Sequence, residues 1–153
     1  MPARYSVETT TDVDLTATTA KTILSVICGA NAPIRIIEFS VSFDGVVAAA
    51  EPCTVELCSS TQGAAGTSTS QTPVQTGGPT RTVQASGARN YTVEPTTLTV
   101  LKRWLVHPTA GMIYQAPLGR ETEQNTTADA LCLRVTSPGG VENVQAYIEF
   151  EEG

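Results

Sequence analysis

NVQAYIEFEE, Asn143–Glu152, decides the fold. Val144, Ala146, Ile148 and Phe150 share one parity, and Asn143, Gln145, Tyr147, Glu149 and Glu151 take the other. A period of two over a stretch this long describes a β-strand packed on one face and wet on the other. IRIIEFSVSFDG, Ile34–Gly45, repeats the pattern with a fault in it. Ile37, Phe39, Val41 and Phe43 alternate with Glu38, Ser40 and Ser42, whereas Ile34 and Ile36 have the opposite parity. One extra residue near Ile36–Ile37 would re-aim the side chains, so a β-bulge is expected there. Asp44-Gly45 then signals a turn.

Further strands are expected in ARYSVETT near the start, KTILSVIC (Lys21–Cys28), CTVELC (Cys53–Cys58), LTVLKRWLVH (Leu98–His107), GMIYQ (Gly111–Gln115) and ALCLRVT (Ala130–Thr136). Turn residues separate them at Gly29–Pro33, Glu51-Pro52, His107–Gly111, Ala116–Gly119 and Ser137–Gly140. KTILSVIC and LTVLKRWLVH carry apolar residues on both parities, the pattern of central strands buried on both sides. Val46–Ala50 has room for a short helical turn, and no amphipathic helix of useful length is present. About eight antiparallel strands without helices predict an all-β sandwich of jelly-roll type, with an immunoglobulin-like sandwich as the alternative.

The chain has 153 residues and reads as a single domain, 1–153. Residues 1–11 are expected to form an N-terminal arm or edge strand. Between Ser59 and Glu94 the composition turns to Gly, Ser, Thr and Gln, with few large apolar residues. A long loop insertion is expected over 59–94, either mobile or ordered against a neighbour, with room for short edge strands at Arg81–Gln84 and Asn90–Glu94.

Hydrophobic residues are 41% and charged residues only 16%, against about 25% in an average chain. Threonine fills much of that gap, as suits the wet face of a sheet. Low charge also suits surface destined for burial between subunits. The net charge of −6 argues against nucleic-acid binding, which needs clustered Lys and Arg. The first twenty residues lack the basic and apolar segments of a leader, and no run approaches a membrane span, so a cytoplasmic site of synthesis is expected.

One histidine leaves little acid–base chemistry near neutral pH, and composition argues against an enzyme. His107 precedes a proline without a nucleophile motif such as GxSxG, and reads as structural. Asp12 and Asp14 share a strand parity but not the pattern of a calcium loop. Glu149, Glu151 and Glu152 read as a polar strand face and end. Asn90 and Asn125 begin glycosylation sequons, NYT and NTT, with no secretion signal to support them. Cys28, Cys53, Cys58 and Cys132 form no CxxC pair and read as small buried thiols. The odd spacing of Cys53 and Cys58 puts them on opposite faces of one strand. Trp104, beside Lys102 and Arg103, reads as a core residue or an interface anchor. No catalytic, cofactor-binding or metal-ligating residue is assigned, and no cofactor is expected.

The succession ARYSV (3–7), IRIIEFSVSFDG (34–45), WLVHPTAGMIYQAPLGRE (104–121), ALCLRVTSP (130–138) and YIEFEE (147–152) resembles the small jelly-roll decoration, or cement, proteins of tailed bacteriophages, particularly those of actinobacterial hosts. The resemblance covers most of the chain outside 59–94. It implies a non-enzymatic virion protein on the capsid exterior, made in the host cytoplasm. Its partners would be the major capsid protein of an HK97-type shell, whose capsomers it clamps, and itself, as a homotrimer at local three-fold positions. No nucleic acid or membrane partner is implied. Pro2–Thr11 and Ser59–Glu94 are the expected contact elements. The alternative is a trimeric receptor- or glycan-binding head of a tail fibre, and a small hydrolase on a jelly roll ranks last.

Overall fold

A computed structural model describes residues 1–44, 51–61, 66–139 and 142–153. The turns expected at Gly45 and Gly140 and the helical turn at Val46–Ala50 lie outside them. Among the described residues there are thirteen strands: β1 (Ala3–Glu8), β2 (Val13–Asp14), β3 (Lys21–Ile27), β4 (Ile34–Asp44), β5 (Cys53–Ser60), β6 (Thr67–Gln71), β7 (Val74–Gly77), β8 (Ser86–Val93), β9 (Leu98–Val106), β10 (Met112–Gln115), β11 (Thr122–Gln124), β12 (Ala130–Thr136) and β13 (Asn143–Glu152). They form two antiparallel sheets packed as a β-sandwich. The first runs β10-β4-β13-β1-β7, with β11 also on β4 and β2 on β13, and the second runs β6-β8-β3-β12-β5-β9.

Eight of these strands make the expected scaffold. β1, β13, β4 and β10 stand side by side in one sheet, and β3, β12, β5 and β9 in the other. The chain crosses repeatedly from sheet to sheet, which is the strand order of a jelly roll. The two stretches read first in the sequence are neighbours at its centre. β13 pairs with β4 over ten positions, from Asn143↔Asp44 to Glu152↔Ile34.

The bulge lies where the parity change put it. Glu149 faces Glu38 and Phe150 faces Ile36, which leaves Ile37 unpaired in that ladder. The extra residue lets Ile34, Ile36, Phe39 and Val41 all enter the core. From β13, Val144, Ala146, Ile148 and Phe150 meet them, and β3, β5 and β12 supply the opposite wall with Leu24, Val55, Leu57, Leu131 and Leu133. β3 is buried on both faces, as its apolar composition predicts.

Three expectations are corrected. Among its described residues, the 59–94 segment is not one long loop. Its first residues complete β5, and the segment then builds β6, β7 and β8. β8 extends the second sheet beyond β3, and β7 extends the first beyond β1. Small and β-branched residues made this possible by lying close to the existing edges. At Gly87 an added Cβ would stand 2.5 Å from the Gln71 carbonyl oxygen and 2.8 Å from Val7 Cγ1. The insertion is thus ordered against its own sandwich. Residues 1–11 are not an arm either. β1 lies between β13 and β7, with Ala3, Tyr5 and Val7 buried and Tyr5 stacked on Phe150 at 5.7 Å. It is an edge only of the eight-strand scaffold, because β7 covers it. Finally, β9 is the outermost strand of its sheet rather than a central one, with alternating half-buried and exposed residues.

Candidate interaction surface

The two flanks of the sandwich differ. On one, the insertion covers β1 and β3 with strands of Thr, Ser, Gln and Gly. On the other, β9 and β10 remain outermost, and among the described residues their only strand partners are β5 and β4. β6 and β7 are likewise end strands on the first flank, and edge strands are natural sites for association.

Along this flank an aromatic cluster lies inside, and exposed apolar residues lie beside Arg103 outside. Trp104 meets Phe39 edge-on at 5.5 Å and Tyr114 at 5.3 Å, and Phe39 stacks on Tyr114 at 5.1 Å. Lys102 Nζ donates to the Tyr114 hydroxyl at 2.6 Å and lies 4.9 Å from its ring centroid. Inward parity on β9 belongs to Lys102, Trp104 and Val106, and outward parity to Arg103 and Leu105, while the bulge at Leu101 puts Val100 and Leu98 on the outer face with Cys58. Leu105 is 71% exposed and Leu101, the bulge residue opposite Leu57–Cys58, is 43% exposed. On β10, Ile113 is 68% exposed, because it faces outward beside Ser40 while Met112 and Tyr114 face in.

Leu118 is 98% exposed at the tip of the turn that follows β10. Arg120 N–H donates to the Pro117 carbonyl at 2.9 Å, and Gly119 takes φ +78°, a geometry that glycine adopts without strain. Glu121 accepts the Gly119 N–H at 3.1 Å, and bonds from its own and the Gly119 backbone hold its carboxyl below the ordinary range. The turn thus presents a leucine to solvent in a tied conformation. Leu105 faces out from the second sheet and Ile113 from the first, so the exposed apolar residues border this edge on both faces of the sandwich.

Behind this flank, charge is paired across the outer face of the second sheet. Glu56 on β5 accepts Arg103 Nε at 2.8 Å and Arg134 Nε at 2.6 Å, from the strands on either side. At the next strand, Thr22 donates its N–H to Glu94 at 2.7 Å and its hydroxyl to the other oxygen of the same carboxylate. On the outer face of the first sheet, Glu38 accepts from the Tyr147 hydroxyl and from Gln115 Nε2. Those bonds hold the Glu38 carboxyl below its usual range and push the Tyr147 phenol up to about 12, so neither group exchanges its proton near neutral pH.

The residues singled out from sequence disperse. His107 Nδ1 accepts from Thr109 N–H at 3.3 Å and lies 2.8 Å from its hydroxyl, a turn contact on the exposed connection from β9 to β10. Asp12 accepts from Gln145, and the carbonyl of Asp14 accepts from Lys21 Nζ at 2.9 Å. Among the described residues, no group of three or more His, Cys, Asp or Glu is placed to hold a metal ion. Asn90 sits within β8 at φ +50° with its Oδ1 buried, whereas Asn125 is exposed in a turn.

All four thiols are buried and free. Cys53 donates to Glu142 Oε2 at 2.7 Å inside the core, and Cys58 faces the outer side of the sheet, so the two do take opposite faces. Glu149 and Glu151 lie on the polar face. Glu152 does not: it is buried and accepts the N–H groups of Gln84, at 2.9 Å, and Ala85, at 2.6 Å. A depression near the chain ends, about 370 Å³ in volume, is lined by Met1, Pro2, Pro33, Arg35, Arg81 and Glu151. Its Arg35 is paired with Glu123 at 2.8 Å.

The apolar flank is what sequence reading missed. LTVLKRWLVH holds apolar residues on both parities and so imitates a central strand. The adjacent Lys102-Arg103 pair was the available signal, since charged side chains on a strand mark an edge. Comparison with protein-family models, with curated proteins and with solved structures finds no match.

Proposed function

We propose that the chain is a non-enzymatic virion structural protein. It binds the outer surface of an HK97-type tailed-phage capsid as a decoration protein and acts as a homotrimer. The observation that carries this reading is the uncovered flank. Leu101 and Leu105 on β9, Ile113 on β10 and Leu118 in the following turn are exposed along this edge, whereas at the opposite edge the insertion extends both sheets. A protein that clamps neighbours needs exposed apolar anchor residues on a folded scaffold, and the β9–β10 edge of this sandwich carries them. The segment resemblance supplies the capsid as the partner.

The contact elements first expected are revised with the fold. Pro2–Thr11 is committed to the first sheet, so contact with the shell and with sister copies is assigned to the β9–β10 flank and the Pro117–Arg120 turn. Cosedimentation with purified expanded heads of tailed phages of actinobacterial hosts tests the reading. Wild-type protein is expected in the pellet at saturable stoichiometry. The double variant Leu105→Glu, Leu118→Asp should stay in the supernatant while keeping its cooperative unfolding transition. Pelleting of the double variant at wild-type levels would remove the flank from the account. Failure of the wild type to pellet with any such head, together with a monomeric mass, would remove the capsid reading.

A further inference from the structure

We propose that Cys58 and Cys132 form a covalent modification site, a cross-strand disulfide that joins β5 to β12 when the protein meets a small-molecule disulfide oxidant. The two residues are direct partners in the β5–β12 ladder. Their side chains share the outer face of the second sheet, in a small cluster with Ala130 that Ile27, Leu98 and Val100 cover. Cys28 and Cys53 belong to the main core between the sheets instead. The pairing is therefore specific to one of the possible combinations.

The geometry suits a bond that is strained and reversible. Facing residues on antiparallel strands have Cα atoms roughly 4.5–5.5 Å apart, inside the disulfide range of about 4.4–6.8 Å. Their Cβ atoms stand about 4.5–5.5 Å apart, whereas a disulfide prefers about 3.5–4.5 Å. Closing that gap draws the strands together and makes the bond easier to reduce than a permanent staple. In the exchange, one thiolate attacks oxidised glutathione and displaces one glutathione thiol. The second cysteine then attacks the mixed disulfide, forms the Sγ–Sγ bond and releases the second glutathione. Two protons leave the cysteines, and the two electrons reduce the glutathione disulfide.

Burial limits access. It pushes the Cys58 thiol up to about 11, so the closed conformation holds almost no thiolate at neutral pH. The path to Cys58 runs through β9, whose Val100 faces it and which is the last strand of the sheet. Reaction is expected from conformers in which β9 has lifted. In a reducing cytoplasm both residues stay as thiols, and the bond forms only after the protein leaves it. This inference does not depend on the capsid reading.

The test uses the full chain in two arms. In one, native protein is incubated with oxidised glutathione; in the other, protein is unfolded in urea and refolded in a glutathione redox buffer, so that burial cannot hide the result. Refolded protein should lose two of its four thiols. Its mass should fall by about 2 Da, and a Cys58–Cys132 peptide should appear that mild dithiothreitol reverses. Cys58→Ala and Cys132→Ala should each retain three thiols. The double variant Cys28→Ala, Cys53→Ala should still close the bridge. Four free thiols after refolding, glutathione adducts without a bridge, or a bridge that includes Cys28 or Cys53 would each overturn the proposal.

Discussion

Glu56 shows how one residue can hold three strands together. Its side chain is 6% exposed and serves Arg103, 60% exposed, on one side and Arg134, 22% exposed, on the other. Removing one partner of a buried pair leaves an uncompensated charge, whereas an exposed partner is replaced by water. Glu56→Ala is therefore expected to lower stability in urea by about 3 kcal/mol. Arg103→Ala should cost under about 1 kcal/mol. Equal costs would contradict the difference in burial.

The thiols make a second residue-scale prediction, about pH. Burial raises Cys58 from its ordinary 9.0 to about 11, and burial with the Glu142 contact raises Cys53 to about 12. A group whose pKa is raised on folding keeps the native state protonated while the unfolded chain ionises. Its contribution is complete below pH 9 and is lost as pH rises from there through the folded value. The urea midpoint should thus be steady from pH 7 to 8.5 and fall between pH 9 and 11, less steeply in Cys58→Ala. A midpoint that rises over that window would contradict the assignment.

Residue-scale legibility follows from what periodicity encodes. The bulge at Ile37 could be read because a parity change is written in consecutive residues. The burial of Glu152 could not, since its partners Gln84 and Ala85 lie 68 and 67 positions away.

At the scale of elements, side-chain bonds help to fasten the insertion to the scaffold. Glu152 takes the N–H groups of Gln84 and Ala85, the Tyr5 hydroxyl donates to the Arg81 carbonyl at 3.1 Å, and Glu94 takes Thr22. Glu152→Ala leaves buried N–H groups unpaired and should cost about 1–3 kcal/mol. Amide exchange at Gln84 and Ala85 should accelerate in that variant more than exchange in β3. A uniform acceleration over both sheets would show that the carboxylate supports the whole fold rather than this leg.

β1 poses the opposite case. The sequence offered either an arm or an edge strand here, and Ala3, Tyr5 and Val7 instead fill the core between two paired neighbours. Deleting residues 2–8 is expected to abolish the cooperative unfolding transition, and a truncated chain that still folds would contradict this placement. Strand existence was legible from alternation, and strand position was not. β9 and β3 carry similar apolar content, yet one is an edge and the other a centre, because position depends on which distant segments arrive beside them. The insertion was misread for a related reason. Its Thr, Ser and Gln residues satisfy a wet sheet edge without the apolar alternation that announces a strand.

At the scale of the whole molecule, the jelly-roll order and the unequal flanks belong together. The insertion adds β6, β7 and β8 at one side of the two sheets, and the other side keeps an aromatic cluster, the end strands β9 and β10 and the exposed Leu101, Leu105, Ile113 and Leu118. The fold class was legible in strand number and the absence of helical periodicity. The location of the proposed contact surface was not, since it depends on which distant segments come to lie beside each edge. The assembly claim is tested most directly by native mass, measured by light scattering on a sizing column over a range of concentrations. Three copies of a 16.1 kDa chain, about 48 kDa, are expected for the wild type, and a single-copy mass for Leu105→Glu, Leu118→Asp. A strictly monomeric wild type at every concentration, or a trimer that survives both substitutions, would contradict the assignment of the β9–β10 flank as the self-contact surface.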